Sequence, residues 1–356
     1  RPEACLTQAS HSPSAPQLLG RMGEIEWGEA VSEEFRQRLI NIVANQTMLG
    51  GGSSSGDFDI DDVFIFGTNP DEALGAAMQK QMSAGGMGDV RGRALGLIKA
   101  ADALAITDKI DEATHQATEA AEICSELKSG ELQAAAMNVM TKIHIKRAVA
   151  SGDDEDFQLA QESATDTVRL FQKMGFRRGE GIALATYSSV FFAWGKAEKC
   201  IEKAKQALVI FSEIDAQECM AAAYHALCNG YLLNMQTARA VNTISKASKI
   251  HETLGNKAAQ ARCLLTIARL ELIGNDPERA KATMEVASKI YSEAGDTKGV
   301  GDVLDTTIDF ATDQQKYGEA IAASKKKVGT YHNSGDQKSE AYALVQLGVI
   351  LLTSNE

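Results

Sequence analysis

Through the C-terminal half of the chain, apolar residues recur at intervals of three and four with polar residues between them, the spacing of amphipathic helices. The pattern itself returns every forty residues. Leu184, Tyr224, Leu264, Leu304 and Leu344 form one column. Cys200, Ala240, Ala280 and Ala320 form a second that is uniformly small, and Phe171, Phe211, His251, Tyr291 and Tyr331 a third that is large and mostly aromatic. Small columns let helices approach closely, and large ones plug the gaps between neighbouring repeats. Each period splits into two predicted helices, for example residues 182 to 194 and 197 to 214.

Stop signals keep the same register. Gly175, Asp215, Gly255, Gly295 and Gly335 fall forty residues apart and are followed by Phe176, Ala216, Asn256, Asp296 and Asp336. Glycine accepts the left-handed conformation that ends a helix, and Asn or Asp caps the next. Gly195, Gly274-Asn275-Asp276 and Gly318 sit at or near the turn inside the period, and Pro277 suits a first helical turn. Two antiparallel helices per forty residues give a stacked solenoid, in which each unit buries its face against its neighbours. Earlier repeats are less regular. Residues 93 to 130 give one pair, with Ala113, Ala117 and Ala120 on its second helix. Residues 131 to 175 give another, whose turn is expected to be lengthened by the acidic stretch 151 to 156, read as a solvated insertion or a docking loop for a basic partner. A last predicted helix, 339 to 352, lacks its pair and either caps the stack or precedes a repeat not contained in this sequence.

This pattern resembles the tetratricopeptide repeat (TPR) family in its variant of about forty residues, similar to the repeats of Pins-type polarity adaptors. The small residue of the family's first helix corresponds to Ser188, Cys228, Ala268 and Gly348, with Ile308 a departure. The two of the second helix correspond to Ala240 with Ala247 and Ala280 with Ala287, while Cys200 with Ala207 and Ala320 with Lys327 follow less strictly. The resemblance implies an all-α, TPR-like solenoid, a right-handed superhelix of antiparallel helix pairs, over residues 93 to 356, about six pairs with the last incomplete.

Residues 1 to 92 do not fit the repeat and read as an irregular N-terminal arm. Residues 24 to 49 predict an amphipathic helix with Phe35, Leu39, Ile40 and Val43 on its apolar face. After a Gly/Ser stretch, Phe58, Ile60, Val63, Phe64 and Phe66 interleave with aspartates, a candidate docking motif for a partner or for the solenoid itself; a plain cover for the first repeat is the competing reading. Asn69-Pro70-Asp71-Glu72 has the composition of a helix start, and Gly85-Gly86-Met87-Gly88 is expected to break the chain before the solenoid.

Composition narrows the function. A formal charge of -12 and a pI near 5.1 argue against nucleic acid and anionic membranes, which call for clustered Lys and Arg. No apolar run approaches the roughly 18 to 20 residues of a membrane span, so a soluble protein is expected, compatible with peripheral association with a membrane complex. The six cysteines show neither a CxxC pair nor metal-ligand spacing, and are expected to be reduced core residues in a reducing compartment. The chain opens at Arg1 without an initiator methionine, which favours an organelle over the cytosol through a removed leader. Asp57, Asp59 and Asp61 have EF-hand spacing, but Asp62 stands where the loop requires glycine and Thr68 where it requires glutamate. No phosphate loop, zinc helix or nucleophile elbow occurs. Neither an enzyme nor a cofactor is expected.

By the resemblance, first helices line a concave groove. The residues facing it include Thr186, Ser189, His225, Asn229, Arg262, Thr266, Arg269, Asp302, Asp305, Asp309 and Gln346. The groove is not uniformly basic and lacks the carboxylate clamp of chaperone-cofactor members. Arg262 and Arg269 lie opposite Asp302 and Asp309 of the next first helix, about 10 Å away by usual packing. They either pair internally or form a bipolar recognition strip. The expected role is a non-catalytic scaffold binding other protein subunits, most simply a peripheral or assembly subunit of a larger, organellar complex, with a regulatory peptide-binding TPR receptor or adaptor as the alternative.

Overall fold

The computed structural model describes residues 32 to 46 and 70 to 354. Among them the chain is a succession of helices without a strand: α1 (Glu33–Gln46), α2 (Pro70–Met87), α3 (Val90–Ile106), α4 (Ile110–Glu126), α5 (Gly130–Ser151), α6 (Asp154–Met174), α7 (Arg177–Ala193), α8 (Ala197–Glu213), α9 (Gln217–Leu233), α10 (Thr237–Thr253), α11 (Lys257–Ile273), α12 (Pro277–Glu293), α13 (Thr297–Asp313), α14 (Tyr317–Ser334) and α15 (Gln337–Thr353). They group into two compact units. Among the described residues, the first spans 70 to 234 and holds α2 to α9, and the second spans 32 to 46 and 235 to 354 and holds α1 with α10 to α15. Within each, consecutive helices pack in sequence order as antiparallel neighbours. α2 packs along α3. A Cβ on Gly96 of α3 would lie 3.0 Å from the Ala77 carbonyl oxygen of α2.

The forty-residue period resolves into two backbone steps of twenty. From 175 to 335, positive φ recurs at Gly175, Gly195, Asp215, Met235, Gly255, Asn275, Gly295, Gln315 and Gly335. All but Met235 end their helix with the paired hydrogen bonds of a Schellman turn: Phe176 N–H donates to the Phe171 carbonyl at 3.2 Å, and Asp296 N–H to that of Tyr291 at 2.9 Å. The following residue starts the next helix. Asn256, Asp276, Asp296 and Asp336 accept from the backbone N–H of Ala259, Arg279, Gly299 and Ser339, each cap contributing about 1 kcal/mol.

Two sequence expectations need correction. The acidic stretch 151 to 156 does not lengthen a turn. Gly152 is the left-handed residue, Asp153 caps, and Asp154, Glu155 and Asp156 form the first turn of α6, where carboxylates oppose the helix dipole. α5 and α6 are longer helices instead. Gly85 and Gly86 lie inside α2, and Gly88, at φ 71°, ends it. Gly318 lies near its turn, in the first turn of α14 after the left-handed Gln315.

The columns set the packing. Cys200, Ala240, Ala280 and Ala320 are fully buried, as are Ala207, Ala247 and Ala287. The aromatic column is buried against glycine. In the first unit a Cβ at Gly179 would meet the Phe171 ring at 2.5 Å and one at Gly181 the Phe211 ring at 2.5 Å. In the second, a Cβ at Gly299 would overlap Tyr291 and one at Gly301 would overlap Tyr331. Leu344 departs from its column. With Tyr342, Val345, Val349 and Leu352 it leaves the outer face of α15 exposed. Cys124, Cys200, Cys219, Cys228 and Cys263 are free, buried thiols, and burial pushes Cys124 up to about 11 and Cys200 and Cys263 to about 12. Cys5 lies outside the described residues.

Candidate interaction groove

In the second unit, the first helices of successive pairs, α11 and α13, carry α1 across them. The expected apolar face of α1 is the one that docks: Phe35, Leu39, Ile40 and Val43 are buried, spaced four, one and three apart along one side of the helix. The Phe35 ring lies 6.0 Å from that of Phe310, a tilted aromatic contact. Ser32 caps α1 by accepting from the Phe35 N–H at 3.1 Å and is itself held by Asp313, whose carboxylate accepts from the Ser32 N–H at 3.1 Å and from its hydroxyl. The carboxylate of Asp313 therefore sits at the positive end of the α1 dipole. Arg38 of α1 pairs with Asp309 at 3.6 Å. Arg36, 1% exposed, enters a cavity of about 690 Å³ lined also by Arg239, Glu271, Asp276 and Arg279.

The charged residues expected in the groove are gathered on α11 and α13. Arg269 is 3% exposed. Its Nε and Nη2 donate to the Thr306 hydroxyl at 3.0 and 2.9 Å, and Nη2 to the Asp302 carbonyl at 3.4 Å. Its Nη1 is buried without a hydrogen-bond partner. Burial lowers the Arg269 pKa, against the neighbouring Asp302, which raises it. Asp305 accepts from Lys327 Nζ at 2.6 Å and from Gln346 Nε2 at 3.0 Å. Asp302 and Asp309 are both raised above the ordinary carboxylate range by burial, opposed by Arg269 at Asp302 and by Arg38 at Asp309. Arg262 is half-buried; its charge lowers the His251 pKa further, beyond the effect of burial. Asp302, Asp305, Asp309 and Asp313 thus form an acidic edge along α13 that meets Arg269 of α11, Arg38 and Ser32 of α1 and Lys327 of α14.

His225 and Asn229 lie on α9 of the first unit and are buried. Thr186, on α7, is buried too. Phe58, Ile60, Val63, Phe64 and Phe66, with the near EF-hand, lie outside the described residues. Sequence reasoning placed neither Lys327 nor α1 in the groove. Lys327 was signalled only as a cation in a small-residue column.

The first unit closes its own charges. Asp102, fully buried, pairs with Lys142 at 2.6 Å. Buried Glu180 accepts from Gln172 at 2.9 Å and from Arg177 at 2.6 Å. These last three line a second cavity of about 700 Å³ with Tyr187 and Lys203. Trp194 stacks on Phe157 at 5.7 Å, donates its indole N–H to Asp154 at 2.8 Å and lies under the Lys196 ammonium.

Paired helices in sequence order, a twenty-residue backbone step and small-residue seams define a helical-repeat protein with the tetratricopeptide type of fold. Solved structures of that architecture align along most of the chain. The apo form of RapI matches with a TM-score of 0.54 at 13% identity, covering 90% of this chain and 83% of its own. A Rap protein complexed with competence and sporulation factor gives 0.53 at 14%, covering 91% and 89%. BtubC (BKLC) from P. vanneervenii gives 0.49 at 16%, over 64% and 93%. No protein-family model matches the chain, and no curated protein does. Among the described residues no helix is long and apolar enough to cross a membrane.

Proposed function

We propose that this chain is a non-catalytic protein-interaction module whose binding surface is the α11–α13 groove of the second unit. One observation carries the reading. The groove already holds an amphipathic helix through an apolar ridge, a capped helix N-terminus and an ion pair at its rim, the elements by which helix-in-groove recognition works. Asp302, Asp305, Asp309, Arg262 and Arg269 are the residues proposed to face a partner, which is then another protein with apolar anchors and basic flanks.

Of the two finer roles, a peptide-binding receptor or adaptor fits this groove better than a resident subunit of an organellar complex. The Rap protein solved with competence and sporulation factor supports that preference by fold alone. The test is cross-linking mass spectrometry on the full chain in native extract, comparing wild type with Asp309→Lys. Cross-links to partner proteins that cluster on α11 and α13 and vanish in the variant are expected. A partner set unchanged by Asp309→Lys would remove the groove as the binding surface. Size-exclusion chromatography separates the roles: a receptor runs mostly free, a resident subunit only with its complex.

A further inference from the structure

The helix in the groove is joined to the repeats in an unusual way. α1 belongs with the second unit, whereas the helix that follows it in the chain, α2, belongs to the first, and residues 47 to 69 run between them. α1 is therefore held in the second unit by its contacts. Its contacts are those of a ligand. Four apolar side chains enter the groove, one acidic edge receives its N-terminus, and Arg38, half exposed, lies across the rim from Asp309. At 14 residues, α1 is about as short as a helix that is marginal alone in water, so its helicity derives from being seated.

Resting on the reading of this groove as an interaction site, we propose that α1 is a displaceable occupant that competes with one amphipathic helix of a partner protein. The partner helix carries apolar residues at positions i, i+4, i+5 and i+8 and a basic residue at i+3, the pattern of Phe35, Leu39, Ile40, Val43 and Arg38. Two features fix this chemistry. The pocket walls are shaped by the apolar face that fills them now, and the four aspartates along α13 select a cation at the rim and a helix N-terminus beside Asp313. Because α1 and the partner helix take the same groove, a free helix competes poorly unless α1 is weakened.

The experiment uses the full chain, with Leu39→Asp and Val43→Asp together to release α1. The probe is a labelled synthetic peptide of residues 30 to 48, titrated by fluorescence anisotropy. The released protein is expected to bind the peptide at least tenfold more tightly than wild type. Adding Asp309→Lys to the released protein should weaken binding about fivefold, and a peptide carrying Arg38→Glu should recover most of that loss. Equal affinity for wild type and released protein, or no binding to the released protein, overturns the proposal. So does collapse of the second unit's cooperative melting in the double variant, which makes α1 an integral part of the stack. A dimer of the wild-type chain by light scattering overturns it as well, because the occupant is then the α1 of a second copy. If the peptide fails while native cross-links remain sensitive to Asp309→Lys, the groove stands as an interaction site and only the role of α1 falls.

Discussion

The two units use the same repeat and place charge differently. In the first, Asp102–Lys142 and the Gln172–Glu180–Arg177 cluster are satisfied within the helix stack. In the second, the carboxylates of α13 run along the groove face and meet Arg38, Ser32, Lys327 and Gln346. A buried pair closed inside the stack holds the stack together. A row of carboxylates met by a helix from outside the repeats suits exchange, and the proposal places binding in the second unit for that reason.

The largest effect is expected where the first unit is most closed. Asp102→Ala leaves Lys142, itself mostly buried, without its carboxylate, and should destabilise that unit by about 3 to 5 kcal/mol in denaturant melts while the peptide-binding groove is retained. Loss of groove binding in that variant would show the units to be less separable than the contrast holds. Next come the tight seams of the second unit. Ala280→Leu, at a fully buried position, and Gly301→Ala, whose Cβ would overlap Tyr331, should each destabilise by about 1 to 3 kcal/mol through overpacking. Unchanged melting of both would break the forty-residue register.

Turn chemistry gives a smaller, two-signed test. Gly295→Ala places a Cβ at φ 70° and should cost about 1 kcal/mol. Gln315→Gly, at φ 55° in the equivalent turn, should be neutral or stabilising, since glycine meets no steric barrier there. A cost for both would mean that side-chain contacts outweigh backbone strain at these turns.

The smallest effect is in pH. The Asp302 pKa is raised in the folded state, so the native protein binds the proton more tightly than the unfolded chain does. Stability from this site is full below the unfolded carboxylate pKa and falls as pH rises through the raised folded value. Asp302→Asn should flatten that decline and leave the second unit slightly more stable at neutral pH. A steeper decline in the variant would contradict the burial of this carboxylate.

The repeat was legible in the sequence because every copy faces the same packing problem, so Ala240, Ala280 and Ala320 are small for one reason and Gly255, Gly295 and Gly335 left-handed for another. The twenty-residue step was hidden, because Met235 and Gln315 adopt left-handed backbone without the glycine that announces it. The start of α7 at Arg177, five residues before the apolar pattern begins, was masked by a polar first turn of Arg177, Arg178 and Glu180. The acidic stretch after Ser151 looked like an insertion because a run of carboxylates is as much a helix start as a loop. At the site, the aspartates of α13 and the apolar face of α1 were each legible alone. Their meeting was not, since contacts between residues about 270 positions apart, such as Phe35 and Phe310, leave no local pattern.

Hydrogen exchange followed by mass spectrometry on the intact chain measures the seating of α1 directly. The account predicts that the amides of residues 35 to 46 are protected in wild type and exchange freely in the Leu39→Asp, Val43→Asp variant, while α11 and α13 keep their protection. Free exchange of α1 in wild type, or joint loss of protection from α11 and α13 on its release, would contradict it.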